Sequence, residues 1–264
     1  MSEAALELVE VNGVGLQLRR TGSGPKLLFL EPHVGLWKAE DFLAELARHY
    51  TVLVPSHPGF EESPTVDHFN AVEDLAYLYL DLFEQEDLED LNVVGASFGA
   101  WVALSVAIKD ARRFRSLVLI DPVGAHFGGP EDEDIADIFS MGEVEFAQKA
   151  FADEEKGYKN YPDLSDEELL ISSRNREAAA RYAWMPCLYD PKMKYRLHRV
   201  AVPTLVLWGE ADRITARDYA ERMAAGIPAA KFATLPNAGH FPYIEQPGDT
   251  VARIRAFTGS GASV

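Results

Sequence analysis

Cysteine is almost missing from this chain. Cys187 is the one thiol in 264 residues, so no disulfide can close within the chain, and such usage fits a reducing compartment. Long apolar runs are missing as well, since no stretch approaches the roughly 20 residues a membrane-spanning helix needs. The opening residues, Met1 to Glu10, are acidic and lack the basic-then-apolar pattern of a secretory signal. A cytoplasmic protein with no membrane partner is therefore expected. Basic residues are scarce beside acidic ones, 25 Lys and Arg against 42 Asp and Glu, for a net charge of −17. That balance argues against nucleic acid and anionic membrane surfaces as partners. Internal repeats, a phosphate-binding glycine loop and a metal-ligand cluster are lacking too, so neither cofactor nor metal is expected.

What is present is a core-forming composition, 47% hydrophobic, organised around residues 91–109. Leu91 to Val94 reads as a short buried strand, Gly95-Ala96-Ser97-Phe98-Gly99 as a tight turn, and Ala100 to Lys109 as a helix. A serine at such a turn is held in a strained backbone, needs neighbours without bulk, and presents its hydroxyl above the sheet. Ser97 is the candidate nucleophile.

A serine hydroxyl attacks poorly unless a base takes its proton, and the base needs an acid to orient it. Thr204 to Gly209 reads as a buried strand followed by Glu210 and Asp212. Lys231 to Leu235 reads as another strand, followed by Pro236 to Pro242 with His240 among them. In a parallel sheet those strand ends share one edge. The order Ser97, Asp212, His240 is the one expected of a particular fold.

On these residues the chain resembles the α/β-hydrolase family, with GASFG at 95–99, VPTLVLWGEAD at 202–212 and AGHFPYIEQP at 238–247, in the family's order. His57-Pro58-Gly59-Phe60 after the strand 51–55 matches too, and the likeness runs from about residue 5 to 257. The resemblance implies a mostly parallel eight-stranded sheet with helices on both faces and an inserted helical cap. The expected division is a core of residues 1–121 and 200–264, with the cap at 122–199. It also implies an oxyanion hole from the N–H of Phe98 and of the residue after a His-Gly pair. Here Glu31 and Pro32 stand in that pair's place, which makes His33 the second donor, since Pro32 has no N–H. Some members carry the acid one strand earlier, so Asp121 and Glu210 stand behind Asp212 as alternatives.

The remaining chain alternates strands with helices. Asn12-Gly13 joins candidate strands 5–11 and 14–20 in a tight hairpin. Residues 41–50 and 71–84 read as helices, the second opened by a capping box of Asn70 and Glu73. Thr215 and Asp218 are expected to cap a helix over 215–225, residues 250–257 to form the last helix, and 258–264 a loose tail. The cap is divided in charge: residues 131–170 hold fourteen acids and three lysines, and 171–199 seven Lys or Arg and two acids. Two solvated faces attracting one another across the cap are expected, with a charged substrate tunnel as the alternative. Its aromatics include Phe139, Phe146, Phe151, Tyr158, Tyr161, Tyr182, Trp184 and Tyr189, some for the cap's own core and some for an apolar pocket above Ser97.

The expected chemistry is that of a carboxylesterase of EC class 3.1.1. Ser97 attacks a carbonyl, His240 takes and returns the proton, Asp212 orients His240, and water releases the acid. Trp184, Phe139, Phe241 and Arg174 are the expected substrate contacts. The substrate is expected to be a small-molecule ester with an apolar or aromatic part, and the protein a monomer or homodimer. Hydrolysis of a carbon–carbon bond in a ring-cleavage-type diketone is the alternative, with Arg174, Arg176 or Arg181 meeting the substrate carboxylate. Against it, Ala96 and Phe241 stand where such enzymes tend to have Asn and Trp. Serine at 97 speaks against the dehalogenases and epoxide hydrolases of this fold, which attack through a carboxylate. A ligand sensor on a hydrolase scaffold, and the fold's cofactor-free lyases and oxygenases, are further alternatives.

Overall fold

The computed structural model describes residues 5–129, 132–228 and 230–259. Among them, eight strands form one sheet: β1 (Ala5–Val11), β2 (Val14–Gly22), β3 (Lys26–Leu30), β4 (Thr51–Pro55), β5 (Leu91–Ala96), β6 (Phe114–Ile120), β7 (Thr204–Gly209) and β8 (Ala230–Leu235). Their spatial order is β1-β2-β4-β3-β5-β6-β7-β8. β1 pairs antiparallel with β2 and β2 with β4, and every other pairing is parallel. Asn12 and Gly13, with φ of 49° and 81°, make the two-residue turn that sets Val11 opposite Val14. β5 and β7 are buried at every position, as strands covered on both faces must be.

The helices are α1 (Glu40–Ala47), α2 (Val72–Gln85), α3 (Phe98–Lys109), α4 (Glu143–Ala150), α5 (Glu154–Gly157), α6 (Asp166–Ala183), α7 (Arg217–Gly226), α8 (Pro242–Glu245) and α9 (Pro247–Gly259). From β3 the chain crosses through α1 to β4, then returns through α2 to β5 on the other side of β3. Right-handed crossovers in opposite directions place α1 and α2 on opposite faces, so α2 packs with α3 and α1 with α9. The reversal makes a crevice at the carboxyl ends of β3 and β5. The Glu31–Gly35 loop and Ser97 both lie there.

Several expected boundaries move. The cap of α2 comes from Asp74, whose carboxylate accepts the N–H groups of Asn70 (2.9 Å) and Ala71 (3.0 Å), while Glu73 is spent on Lys109. α7 starts at Arg217, and the Thr215 hydroxyl turns back to Asp212 instead of capping it. Thr258 is no tail residue: it is buried in α9 and its hydroxyl meets that of Tyr50 at 2.6 Å. The rest of the expected tail, 260–264, lies outside the described residues.

Between β6 and β7 the chain carries α4, α5 and α6. It meets the sheet's carboxyl edge through the His240 N–H on the Ala150 carbonyl (2.7 Å), the Arg213 N–H on Lys149 (3.0 Å) and the Tyr182 hydroxyl on Pro58 (3.1 Å). The two charge halves do not pair. Among the described residues no ion pair joins 131–170 to 171–199; Arg181 meets Glu177 and Arg196 meets Asp190, both inside the basic half.

Candidate active site

Ser97 sits at the junction of β5 and α3 with φ 50° and ψ −112°, a conformation a side-chain-bearing residue rarely adopts. The turn closes because its two glycines leave no room for more. A Cβ on Gly95 would stand 2.5 Å from the Gly99 carbonyl, and one on Gly99 would stand 2.1 Å from the Leu30 carbonyl. The Ser97 N–H bonds the end of β6 at Ile120 (2.9 Å), which fixes the elbow to the sheet.

The His240 Nε2 lies 2.7 Å from Ser97 Oγ, and its Nδ1 lies 2.9 Å from Asp212 Oδ2. All three residues are buried. Asp212 follows β7, and its Oδ1 accepts the N–H of Ile214 (2.7 Å) and Thr215 (3.3 Å), while its Oδ2 also takes the Thr215 hydroxyl (2.7 Å). Those bonds compensate a buried carboxylate for lost water. His240 follows β8, on a loop pinned by Glu245. One oxygen of Glu245 accepts the Gly239 N–H (2.6 Å), the other the N–H groups of Ala152 and Asp153 (both 3.0 Å).

The two alternative acids separate clearly. Glu210 points away, its carboxylate taking the Thr234 hydroxyl at 2.7 Å. Asp121, at the end of β6, comes close: one oxygen each of Asp121 and Asp212 and a ring nitrogen of His240 lie within 4.8 Å of one another. Asp121 Oδ1 is engaged by the Gly209 N–H (2.9 Å), and Oδ2 has no such partner. Burial first, and the neighbouring Asp212 second, push the Asp121 carboxyl well above the usual range, which favours its neutral form. As donors to a metal these three would be poor, because His240 and Asp212 already bond one another.

The loop after β3 settles how Glu31 and Pro32 are accommodated. Glu31 is fully buried and its Oε1 accepts the His57 N–H at 3.1 Å. Burial, reinforced by Glu61, pushes its carboxyl well up. His57 bridges the Tyr79 hydroxyl (2.5 Å) and the Glu31 carbonyl (3.1 Å), with its pKa lowered to about 4 by burial. Among the described residues, the amide N–H groups of His33 and Phe98 have no internal acceptor. The His33 ring, 6.5 Å from that of His240, is buried with both nitrogens unpartnered, and its pKa falls to about 3 through burial and then His240.

A cavity of about 60 Å³ opens beside His33, walled by Trp37, Phe139, Phe146, Lys159 and Arg176 among others. Of the expected substrate contacts only Phe139 borders it. Trp184 stands 62% exposed at the end of α6, on the outer surface. Arg174 donates to the Ser63 carbonyl (2.9 Å), tying α6 to the core. Phe241 is fully buried, a packing wedge with its ring 5.0 Å from that of His240 and 5.8 Å from that of His33. Arg181 is engaged with Glu177, whereas Arg176 borders the cavity. Sequence reasoning missed Thr215, Glu245 and Lys159. Asp212-x-x-Thr215 was a readable local signal for the first, and nothing local pointed to the others.

The family model of the alpha/beta hydrolase family matches residues 27–254. Among characterised relatives, the chain is similar to 2-hydroxy-6-oxo-2,4-heptadienoate hydrolase of Pseudomonas putida, 25% identical with 95% of each chain covered. It is also 25% identical to part of the polyketide synthase ThaQ of Burkholderia thailandensis, where 90% of this chain spans only 12% of that protein. Among solved structures it is similar in fold to naproxen esterase from Bacillus subtilis, with a TM-score of 0.76, 17% identity, and 97% of this chain and 91% of that one covered. With strand order, elbow and family match in agreement, this chain belongs to the alpha/beta hydrolase family.

Proposed function

We propose that the protein is a serine hydrolase of carboxylic esters, working through an acyl-enzyme on Ser97. The observation that carries this reading is the unbroken hydrogen-bond chain from Ser97 Oγ through His240 to Asp212. In the first half-reaction His240 Nε2 takes the Ser97 proton as Oγ attacks the carbonyl carbon, and then returns it to the departing alcohol. The N–H groups of Phe98 and His33 hold the oxyanion between them; neither is spent elsewhere among the described residues. In the second, His240 deprotonates water as it attacks the acyl carbon, and then gives that proton to Ser97 Oγ as the acyl C–O bond breaks, releasing the acid and restoring the serine. Asp212 keeps the Nδ1 proton toward itself and leaves Nε2 free to accept.

Labelling with a fluorophosphonate probe tests this directly. Wild type is expected to label and Ser97→Ala not to, while nitrophenyl esters of increasing chain length measure the acyl pocket. Labelling of Ser97→Ala equal to wild type would overturn the assignment. Carbon–carbon bond hydrolysis is the second reading, supported by Arg176 at the cavity wall and by the likeness to the Pseudomonas putida heptadienoate hydrolase. Faster turnover of a dienoate diketone than of any simple ester would reverse the order of the two.

A further inference from the structure

The cavity beside His33 has a polar wall that ester chemistry does not require. Lys159, between α5 and α6, brings its ammonium 4.7 Å from the Trp37 ring centroid and donates to Ser172 Oγ at 3.1 Å. Among the described residues it forms no ion pair, and Glu143 and Glu61 act on it from beyond that reach. An ammonium has three N–H donors. Ser172 takes one and the face of Trp37 accommodates a second. The third is left for the cavity that Lys159 borders.

Arg176 borders the same cavity, its one hydrogen bond going to the Phe139 carbonyl at 3.2 Å, and it too lacks an ion pair among the described residues. The one acid on the wall, Glu143, already accepts the Tyr161 hydroxyl at 2.6 Å. Two cations face one anion on this wall, and with Lys38 and Glu61, which act on Lys159 from just outside it, three cations face two anions, a local excess of positive charge in a chain whose net charge is −17. Burial holds the Lys159 pKa below its ordinary value, outweighing the attraction of Glu143 and Glu61, so the cost of taking this ammonium out of water is only partly offset. A structure that keeps such a group gains from an anion arriving with a ligand. The cavity's about 60 Å³ holds several water-sized groups, enough for a carboxylate. His33 joins this wall to the ester site, since it borders the cavity, its ring lies 6.5 Å from that of His240, and its amide is the second oxyanion donor proposed above.

We propose that the cavity bounded by His33, Lys159 and Arg176 receives a carboxylate carried by the ester substrate, so that the substrate class is anionic half-esters and not purely apolar esters. This deepens the serine hydrolase reading and rests on it. Lys159 supplies the ion-paired donor at the cavity wall, and Arg176 adds a second charge-assisted donor.

The test compares mono-nitrophenyl adipate and glutarate, with the carboxylate on the acyl side, and carboxyphenyl butyrate, with it on the alcohol side, against neutral esters of matching length. Wild type is expected to turn over one anionic ester with a kcat/KM about tenfold above its neutral partner. In Lys159→Met that ratio falls toward one, chiefly through KM, and Lys159→Arg recovers part of it. Lys26→Met, at the far end of β3, serves as the surface control. A wild-type ratio of one or less, or a preference that survives in Lys159→Met, would overturn the proposal while leaving Ser97-dependent turnover of neutral esters standing. Calorimetry decides the subsite independently of turnover. Monomethyl adipate or carboxyphenyl butyrate is expected to bind Ser97→Ala and to bind Ser97→Ala/Lys159→Met about tenfold more weakly. Equal binding by the two variants, or none by either, contradicts the subsite. Loss of all ester turnover with that binding intact counts against the hydrolase reading alone.

Discussion

The carboxyl edge of the sheet and the chain between β6 and β7 meet at the same place but follow different rules. At the edge, the side-chain polar atoms of Ser97, Asp212 and His240 all have partners, and the backbone that carries them is locked by strand pairing and by glycines with no spare room. In the insertion, Lys159 and Arg176 reach a cavity with donors to spare, and Trp184 lies on the outer surface. A reaction that must be placed to within fractions of an ångström is built on rigid strand ends. On the function proposed above, recognition of what is attached to the reacting carbonyl falls to a segment held by a few tethers. If that division holds, substitutions in the insertion alter selectivity and substitutions at the edge alter the chemistry.

The largest effect should follow from removing the proposed nucleophile: Ser97→Ala is expected to lower kcat by about a millionfold with its melting temperature near wild type, read by ester hydrolysis and calorimetry. Asp212→Asn should cost about ten-thousandfold in kcat, because the imidazole tautomer is no longer fixed. Next comes rigidity itself. Gly99→Val would drive side-chain carbon into the carbonyls of Leu30 and Glu31, and is expected to unfold the protein or lower its denaturant midpoint severely. The same substitution at Gly142, where nothing lies within 4 Å, should be tolerated.

Asp121→Asn sharpens the comparison within the edge. With Asp121 neutral, an amide can keep the Gly209 bond and still donate toward Asp212, so the acidic limb of the kcat/KM profile should stay in place; an ionised Asp121 would instead make that limb fall to lower pH in the variant. The sign for stability is fixed by the raised pKa. The native state holds a proton that the unfolded chain releases, so wild type loses stability as pH rises above the unfolded value, by up to about 1.4 kcal/mol per unit. Asp121→Asn should therefore gain on wild type from about pH 4 upward, with no gain below it, as melting curves would show. The smallest effect belongs to a tether. Arg174→Ala removes one bond from α6 to Ser63 and should cost about 1 kcal/mol or less, with kcat changed less than about twofold.

The edge was legible in the sequence because each of its residues follows an apolar run whose end fixes where the side chain lands. Ser97, Asp212 and His240 are all read from local pattern, as are the strands at 5–11, 14–20, 51–55, 91–94, 204–209 and 231–235, while the eight-stranded, mostly parallel sheet follows from the family resemblance. The props behind them were not, because their partners are remote: Glu245 holds Ala152 and Asp153, and Asn175 on α6 holds Glu61. In the insertion the pattern carried less. Arg174 and Arg176 are two positions apart on a helix and so point to different sides, one to the core loop at Ser63 and one to the cavity. Composition gives both the same description. Likewise an aromatic count could not tell Phe139 at the cavity from Trp184 on the surface or Phe241 in the packing beneath His33.

The central claim is that Ser97 carries the acyl group between two half-reactions. Rapid acid quench during turnover of nitrophenyl butyrate, followed by peptide mass mapping, tests it most directly. A single butyryl adduct is expected on the peptide containing Ser97, accumulating in step with the burst of nitrophenol. Steady hydrolysis with no adduct under burst conditions, or an adduct on another residue with Ser97 unmodified, would contradict it.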